Sequence, residues 1–214
     1  IRNPLNAAVL ELHLLSRAID RLGEPAVRSP MKTRVTIVES EIRRLERLLT
    51  EFLELARPRA PQREPVDLAR VMAEVMDLEA EALASRSIQV ERHLEPGCLA
   101  LGDVEKLKQV VLNLVVNALD ALPDGSSIGA STGGDALEVW LAVSDTGPGI
   151  EPTILAEIFD PFFTTKAAGT GLGLAIVRKI VDQHGGRIAV DTKRGEGTIV
   201  KIVLPRASGG PEPR

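Results

Sequence analysis

Three glycines near residue 170 could let a bulky anion approach the backbone. Gly169, Gly171 and Gly173 alternate with Thr170, Leu172 and Leu174 in the segment GTGLGL. Glycine has no Cβ atom, so the N–H groups of such a turn stay accessible. Apolar residues then recur at helical spacing, and the start of a helix directs positive partial charge at a phosphate. The segment predicts a phosphate cradle that lacks the lysine and hydroxyl signature of a P-loop.

A pair of asparagines upstream could bind a hard cation. Asn113 and Asn117 are four residues apart, a spacing that places both on one face of a helix. The helix is predicted over 103–122, with Asp103 as its N-cap and a broad apolar stripe. Amide oxygens are suitable ligands for Mg²⁺, which is usually coordinated by protein groups together with phosphate oxygens of a substrate. The alternative is two exposed polar positions.

A carboxylate ends a predicted strand between these two segments. Alternating apolar residues over 137–144 lead to Asp145, Gly147 and Gly149 in the segment DTGPGI. A carboxylate can accept a hydrogen bond from an exocyclic amine such as that of adenine. Seen alone, the segment favours an ordinary turn after a strand. The order of all three segments favours a nucleotide pocket.

With these segments in place, the chain resembles the sensor histidine kinases of two-component systems, within the wider GHKL superfamily of ATPases. The resemblance extends from Ile1 to about Pro205. The matching segments are NLVVNA at 113–118, DTGPGI at 145–150, FDPFFTTK at 159–166, GTGLGLAI at 169–176, HGG at 184–186 and GEGT at 195–198. The spellings NALDA and PFFTTK are most similar to the nitrogen-regulator type of kinase.

The resemblance implies a site for Mg²⁺ with ATP or ADP. Asn117 would hold the metal with Asn113 beside it, and Asp145 would bind adenine. Lys166 would offset the charge of the γ-phosphate, and Thr198 would lie near adenine. The nucleotide-binding set is completed by Gly147, Gly149, Gly169, Thr170, Gly171, Leu172, Gly173 and Leu174.

The beginning of the chain resembles the end of the family's phosphoacceptor box. The segment IRNPLNA at 1–7 matches the last part of that box, so the resemblance places the phosphoaccepting His and its neighbouring Glu just before Ile1. The kinase would phosphorylate this His and pass the phosphate to an Asp of a response-regulator receiver domain. The chain as written would bind ATP without autophosphorylation. Asn3 would orient a water molecule for dephosphorylation of the regulator.

Residues 1–57 are predicted to form a helical hairpin that dimerises. The second helix carries a heptad seam with alternating spacings of three and four: Val35, Val38, Ile42, Leu45, Leu49, Phe52 and Ala56. Gly23, Pro25 and Pro30 are expected to interrupt the chain between the helices. Two hairpins would make a dimeric four-helix bundle. The alternative is a hairpin packed on its own catalytic domain.

A proline-rich linker is predicted at 58–66, and a catalytic domain over 67–206. The pattern predicts a helix over 67–85, and strands at 87–94, 97–101, 137–144, 187–192 and 198–204. A mixed sheet covered on one face by helices is an α/β sandwich, which the resemblance identifies as a Bergerat-type ATP-binding domain. The whole chain is therefore α+β. Residues 207–214 are expected to form a disordered tail.

Phenylalanines cluster just before the glycine segment. Phe159, Phe162 and Phe163 fall within five residues and fit either a small satellite core or the aromatic anchors of a mobile lid. Histidines show no zinc spacing, and their positions suggest packing, solvent exposure or a helix end: His13, His93 and His184.

Composition favours a cytoplasmic protein. The 214 residues hold one cysteine, Cys98, which cannot form an internal disulfide. No apolar run reaches the ~18 residues of a membrane span, and the net charge of −4 gives no support for nucleic-acid binding. Two other functions stay open: a GHKL ATPase of the chaperone or topoisomerase type, and a nucleotide-gated binding module without catalysis.

Overall fold

Residues 8, 12–17, 19, 25–56, 62–166 and 169–207 are described by a computed structural model. The chain divides into two units, Ile1–Arg57 and Pro58–Arg214, and each is described by itself. Asn3 and the predicted tail from residue 208 onward lie outside the described residues.

The first unit is helical wherever it is described. Helix α1 spans Pro25–Ala56, and residues 12–17 upstream are also helical. The Nδ1 atom of His13 lies 3.6 Å from the Glu39 carboxylate, so these upstream residues lie beside α1. The expected interruption at Pro30 was wrong, and Gly23 lies outside the described residues. Pro25 starts the helix, where a missing N–H is tolerated, and Pro30 removes one hydrogen bond from a 32-residue helix.

The heptad seam of α1 divides into two rows. One row is buried or half-buried: Val35, Ile42 and Leu49. The other row is exposed: Val38 by 47%, Leu45 by 52% and Phe52 by 49%. Each row repeats every seven residues, so α1 buries one apolar row and leaves the parallel row open.

The second unit combines a five-stranded sheet with helices. Its elements are β1 (Glu64–Asp67), α2 (Leu68–Leu78), α3 (Ala80–Ser85), β2 (Gln89–Leu94), β3 (Leu99–Gly102), α4 (Val104–Ala121), β4 (Ser127–Gly134), β5 (Glu138–Asp145), α5 (Gly173–Gln183), β6 (Arg187–Lys193) and β7 (Gly197–Pro205). The sheet order is β2-β4-β5-β7-β6. Strand β2 runs parallel to β4, and the other neighbours are antiparallel. Strands β1 and β3 form a separate pair.

The core lies between the sheet and helices α2, α4 and α5. Helix α4 contacts both α2 and α5, and all three helices contact the sheet. Strand β5 alternates as predicted, with Val139, Leu141 and Val143 buried on the helix side. Helix α4 buries the predicted stripe: Leu107, Val110, Val111, Leu114, Val115 and Ala118. The predicted α+β fold, with a mixed sheet and packed helices, is confirmed.

Strand β4 was absent from the sequence prediction. Its sequence, SIGASTGG, is rich in residues that are depleted in strands. The structure explains the glycines by close packing on β5. A Cβ atom on Gly129 would collide with the Ser144 hydroxyl, and one on Gly133 would lie 2.6 Å from the Trp140 ring. Lys201 places its Nζ atom 4.0 Å from the centroid of that ring.

Several predicted boundaries also differ. Residues 64–66 of the predicted linker belong to β1, which pairs with β3. The predicted helix at 67–85 breaks at Glu79 into α2 and α3. Strand β2 starts at Gln89 because Ser87 has a left-handed backbone with φ of 53°. Ala207, expected in the tail, is buried and donates its N–H to the Leu99 carbonyl at 2.8 Å.

Candidate functional site

The two asparagines of α4 face the start of α5. The Asp103 carboxylate caps α4 by accepting the N–H groups of Glu105 and Lys106. Further along the helix, Asn113 and Asn117 lie half-buried on one side. A Cβ atom built on Gly173 would lie 3.8 Å from Asn113 Oδ1 and 3.8 Å from Asn117 Nδ2. The predicted metal-binding amides and the last glycine of the cradle therefore lie together.

One of these amides has an unused donor. Asn113 Nδ2 is buried and has no hydrogen-bond partner among the described residues. Buried polar groups are nearly always paired, and leaving one unpaired costs about 1–3 kcal/mol. A ligand that accepts a hydrogen bond here would remove this cost.

The three glycines of the predicted phosphate cradle have different surroundings. Gly171 has a φ of +68°, and a Cβ atom on it would lie 2.8 Å from Phe162 Cα. The Phe162 N–H also donates to the Gly171 carbonyl at 2.9 Å. A Cβ atom on Gly169 would overlap the Thr164 hydroxyl. Thus Gly169 and Gly171 fit the chain against the 159–166 segment, while Gly173 leaves the space toward the asparagines open.

The residues between these glycines shape the start of α5. Leu172 is fully buried and occupies the N-cap position without a side-chain hydrogen bond to the helix. Thr170 Oγ1 accepts the Leu172 N–H at 3.3 Å, and Leu174 is half-buried. Because no side chain caps α5, its first N–H groups stay suited to an anion.

Asp145 ends β5 with one carboxylate oxygen engaged by the next loop. Its Oδ1 atom accepts the Gly147 N–H at 2.8 Å. Burial raises the pKa of the Asp145 carboxyl, while hydrogen bonds from Gly147 and Thr198 and the charge of Lys166 act in the opposite direction. A half-buried carboxylate with remaining acceptor capacity can bind an amine.

The loop after Asp145 is held by the β6–β7 turn. The Gly195 N–H donates to the Pro148 carbonyl at 2.8 Å. The Ile150 N–H donates to Thr192 Oγ1 at 2.9 Å, and that oxygen lies 3.0 Å from Thr198 Oγ1. Gly149 has a φ of +71°, and a Cβ atom on it would overlap the Lys193 carbonyl. The DTGPGI and GEGT segments therefore form one packed structure, with Thr198 buried inside it.

Lys166 joins the segment after the phenylalanines to α4. Its Nζ atom donates to the Asn117 carbonyl at 3.3 Å and to Asp120 Oδ2 at 3.3 Å. Phe162, in the same segment, is 61% exposed and has a φ of 69°, so it is not part of a satellite core. Within the described part of the chain, no group of three His, Cys, Asp or Glu side chains could hold a metal.

Two side chains that hold the ends of α4 were not recognised from the sequence. Arg86 donates from Nη1 to the Leu119 carbonyl at 2.6 Å and from Nε to Asp124 at 2.9 Å. His184 was expected only to end a helix. It does end α5, and its Nε2 atom also accepts the Asp103 N–H at 3.0 Å.

The tautomer of His184 is fixed by its partners. The Asp103 N–H can only donate and the Ile180 carbonyl can only accept. Nδ1 lies 2.7 Å from that carbonyl, so His184 is the neutral tautomer with its proton on Nδ1. The imidazole, which is 4% exposed, fastens the end of α5 to the start of α4.

A concavity of about 510 Å³ lies beside this site on the sheet. Its lining includes Glu91, Ser127, Gly129, Ser144, Asp191, Lys193 and Ile199, and it shares Asp145 and Thr198 with the candidate site. Neither asparagine nor Lys166 lines it. The concavity therefore does not include the residues predicted to hold the metal and to offset the γ-phosphate charge.

Residues 102–208 match the family described as histidine kinase-, DNA gyrase B- and HSP90-like ATPase. The chain belongs to this family. Its second unit is a histidine-kinase-type ATP-binding catalytic domain.

Two similar proteins are named as histidine kinases, and one of them as a sensor histidine kinase. Over 172 residues the chain is 39% identical to the sensor histidine kinase ZraS of Klebsiella oxytoca, covering 79% of this chain and 37% of ZraS. The catalytic domain of the histidine kinase ThkA in a nucleotide-free form is 32% identical with a TM-score of 0.63, over 68% of this chain and 96% of that one. ThkA in complex with the response regulator TrrA is 27% identical with a TM-score of 0.72, and the match covers 96% of this chain and 60% of the ThkA chain.

The chain spans between 28% and 41% of the length of the most similar curated relatives. None of the helices in the described ranges is long and apolar enough to cross a membrane.

Proposed function

We propose that the chain is the dimerisation and catalytic core of a sensor histidine kinase that binds Mg²⁺-ATP. Two observations on the same residues support this proposal most directly. Asn113 and Asn117 lie beside Gly173, and the buried amide nitrogen of Asn113 has no hydrogen-bond partner among the described residues. The amide oxygens, the open glycine and the uncapped start of α5 suit a metal-bound polyphosphate.

Each side chain has a role that agrees with its position. Asn117 would hold Mg²⁺ together with phosphate oxygens, because its amide offers a neutral oxygen of the kind that Mg²⁺ accepts as a ligand. Asn113 would use its free amide toward the nucleotide. Asp145 would accept a hydrogen bond from the adenine amine, with Thr198 packed beside it. Lys166 would neutralise phosphate charge, and the start of α5 would bind phosphate oxygens through its N–H groups.

These residues do the work that phosphoryl transfer requires. When bound, the metal would supply charge neutralisation at the phosphates. The protein would position the nucleotide and complement its charge, which is most of what catalysis of this reaction needs. The acceptor would be a His on the helical stem, and the phosphate would pass to an Asp of a response regulator. Similarity to ThkA, whose structure includes the regulator TrrA, supports this partner. Asn3 would serve dephosphorylation.

The helical unit would form a homodimer. The row of Val38, Leu45 and Phe52 leaves apolar surface open along α1. A second copy of this unit would cover that row with an identical row and complete a four-helix bundle. The protein would act in the cytoplasm.

Calorimetry with ADP tests the nucleotide site. The wild-type chain should bind ADP more tightly with Mg²⁺ than with EDTA. Asp145→Ala should lose affinity in both conditions, because the adenine amine would lose its acceptor. Asn117→Ala should lose affinity mainly in Mg²⁺. Equal ADP affinity of the wild type and Asp145→Ala would refute the adenine assignment, and an unchanged Mg²⁺ effect in Asn117→Ala would refute the metal assignment.

A further inference from the structure

Asp120 forms an ion pair with Lys166, the residue proposed to neutralise phosphate charge. It lies on the exposed side of the last turn of α4, three residues after Asn117. Lys166 Nζ is 3.3 Å from Asp120 Oδ2 and 3.3 Å from the Asn117 carbonyl. The ammonium group therefore has two acceptors on one helical turn, and only one of them is charged.

The same ammonium group also acts on the adenine side of the site. The charge of Lys166 lowers the pKa of the Asp145 carboxyl against the effect of burial. Lys166 therefore contacts α4 and is close enough to Asp145 for the two charges to interact. A phosphate group at the start of α5 would compete with Asp120 for this one cation.

Asp120 would also act directly on a polyphosphate. Its carboxylate is 54% exposed, and it lies one turn beyond the residue proposed to hold the metal. Like charges at such short range repel, and the repulsion grows with the charge of the ligand. Bound Mg²⁺ would cancel part of the polyphosphate charge, so Asp120 would penalise metal-free nucleotide more than the Mg²⁺ complex.

We propose that Asp120 sets the metal dependence of nucleotide binding: it retains Lys166 and repels metal-free polyphosphate, so that the nucleotide enters as its Mg²⁺ complex. Asp120 is in this sense a specificity-determining and positioning residue for the proposed ATP site, and the inference rests on that proposed function. A role in folding alone would not depend on whether the ligand carries a metal.

The test compares ADP affinity in Mg²⁺ and in EDTA for the wild type and for Asp120→Asn. The variant should bind metal-free ADP about threefold to tenfold more tightly, a range consistent with an exposed ion pair and one nearby repulsion. Its affinity for ADP with Mg²⁺ should change less than about twofold. Asp124→Asn is the matched control. It removes the same charge four residues later, from a carboxylate that pairs with Arg86 instead, and it should shift neither affinity by more than about twofold.

A double-mutant cycle isolates the contact with Lys166. In a Lys166→Met background, Asp120→Asn should tighten metal-free ADP less than it does in the wild type, because no cation remains to be released. If the wild type binds ADP but Asp120→Asn changes both affinities equally or neither, the inference is overturned while the proposed site stands. If the wild type binds no ADP in either condition, the proposed function and the inference both fail.

Discussion

The Asn113 amide and the first residue of α5, Gly173, face one another across a space that a single methyl group would narrow to 3.8 Å. That separation is an ordinary van der Waals contact, so alanine would fit at residue 173 without strain in the nucleotide-free protein. The glycine is thus not required by the packing of the fold. We attribute the absence of a side chain at residue 173 to the nucleotide proposed to approach the backbone there.

Gly173→Ala should therefore separate binding from stability. We expect ADP affinity to fall about tenfold, equivalent to about 1.4 kcal/mol, because the methyl group would occupy the approach to the N–H groups. The free energy of unfolding should stay level or rise by up to about 1 kcal/mol, since alanine favours helix. Calorimetry and urea denaturation measure the two effects.

Gly171→Ala is the contrasting variant. It would force a side chain into a left-handed backbone and against the backbone of Phe162, so it should lower stability. Gly173→Ala that unfolds more easily yet keeps full ADP affinity would contradict the assignment.

Asp145→Asn should stabilise the nucleotide-free protein at neutral pH. Burial raises the pKa of Asp145 in the folded state, so the folded protein binds this proton more tightly than the unfolded chain. The ionised carboxylate therefore costs stability above the folded pKa, and this cost disappears as pH falls through the folded pKa toward the ordinary value. The advantage of the variant should therefore shrink as the pH is lowered from neutral through the folded-state pKa toward about 4, the ordinary pKa of an aspartate. Urea denaturation at several pH values checks the trend, and a constant or growing advantage on acidification would contradict it.

Leu45→Glu should convert the proposed dimer into a monomer. Leu45 is 52% exposed in the open row of α1, and a buried, unpaired carboxylate there would be costly. Sedimentation velocity at several concentrations measures the change. Ser40→Glu adds the same charge on the far side of α1, where Ser40 is exposed, and should leave the dimer intact. A wild-type chain that is monomeric at high concentration would exclude the dimer altogether.

Ser87→Gly should raise the free energy of unfolding by about 1 kcal/mol, since a left-handed backbone costs a non-glycine residue roughly that amount. Ser87 has a φ of 53° and an exposed side chain, so the replacement removes strain without removing packing. The same replacement at Ser85, in the last turn of α3, should instead lower stability. Thermal melting of both variants tests the sign, and a Ser87→Gly variant no more stable than wild type would rule out strain at this turn.

The sequence was sufficient where a pattern repeated over several residues. The stripe of α4 and the alternation of β5 were predicted correctly because each buries one face against the other. Strand β4 was missed because its small residues match side chains on the neighbouring strand β5, such as Trp140 beside Gly133, and the pattern within β4 itself carries no signal for that contact. The contact of His184 with Asp103 spans 81 residues, and local spacing carries no signal for it.

The candidate site shows the same limit. The types and spacing of Asn113, Asn117 and Asp145 suggested chemistry, because their segments occur in a recognisable order. The sequence could not show that Gly171 packs against Phe162 while Gly173 faces the asparagines, because this difference depends on where Phe162 lies. Asp120 was visible in the segment NALDA, but its partner Lys166 is 46 residues away.

The packing of Trp140 gives the molecule a built-in optical reporter. The chain has one tryptophan and no tyrosine, and that tryptophan lies in β5 with the Lys201 ammonium group over its ring. Its fluorescence therefore comes from the second unit alone, while far-ultraviolet circular dichroism also records the helices of the first. Monitored together during denaturation, the two signals would reveal whether the helical stem and the nucleotide domain melt as one cooperative unit or in succession.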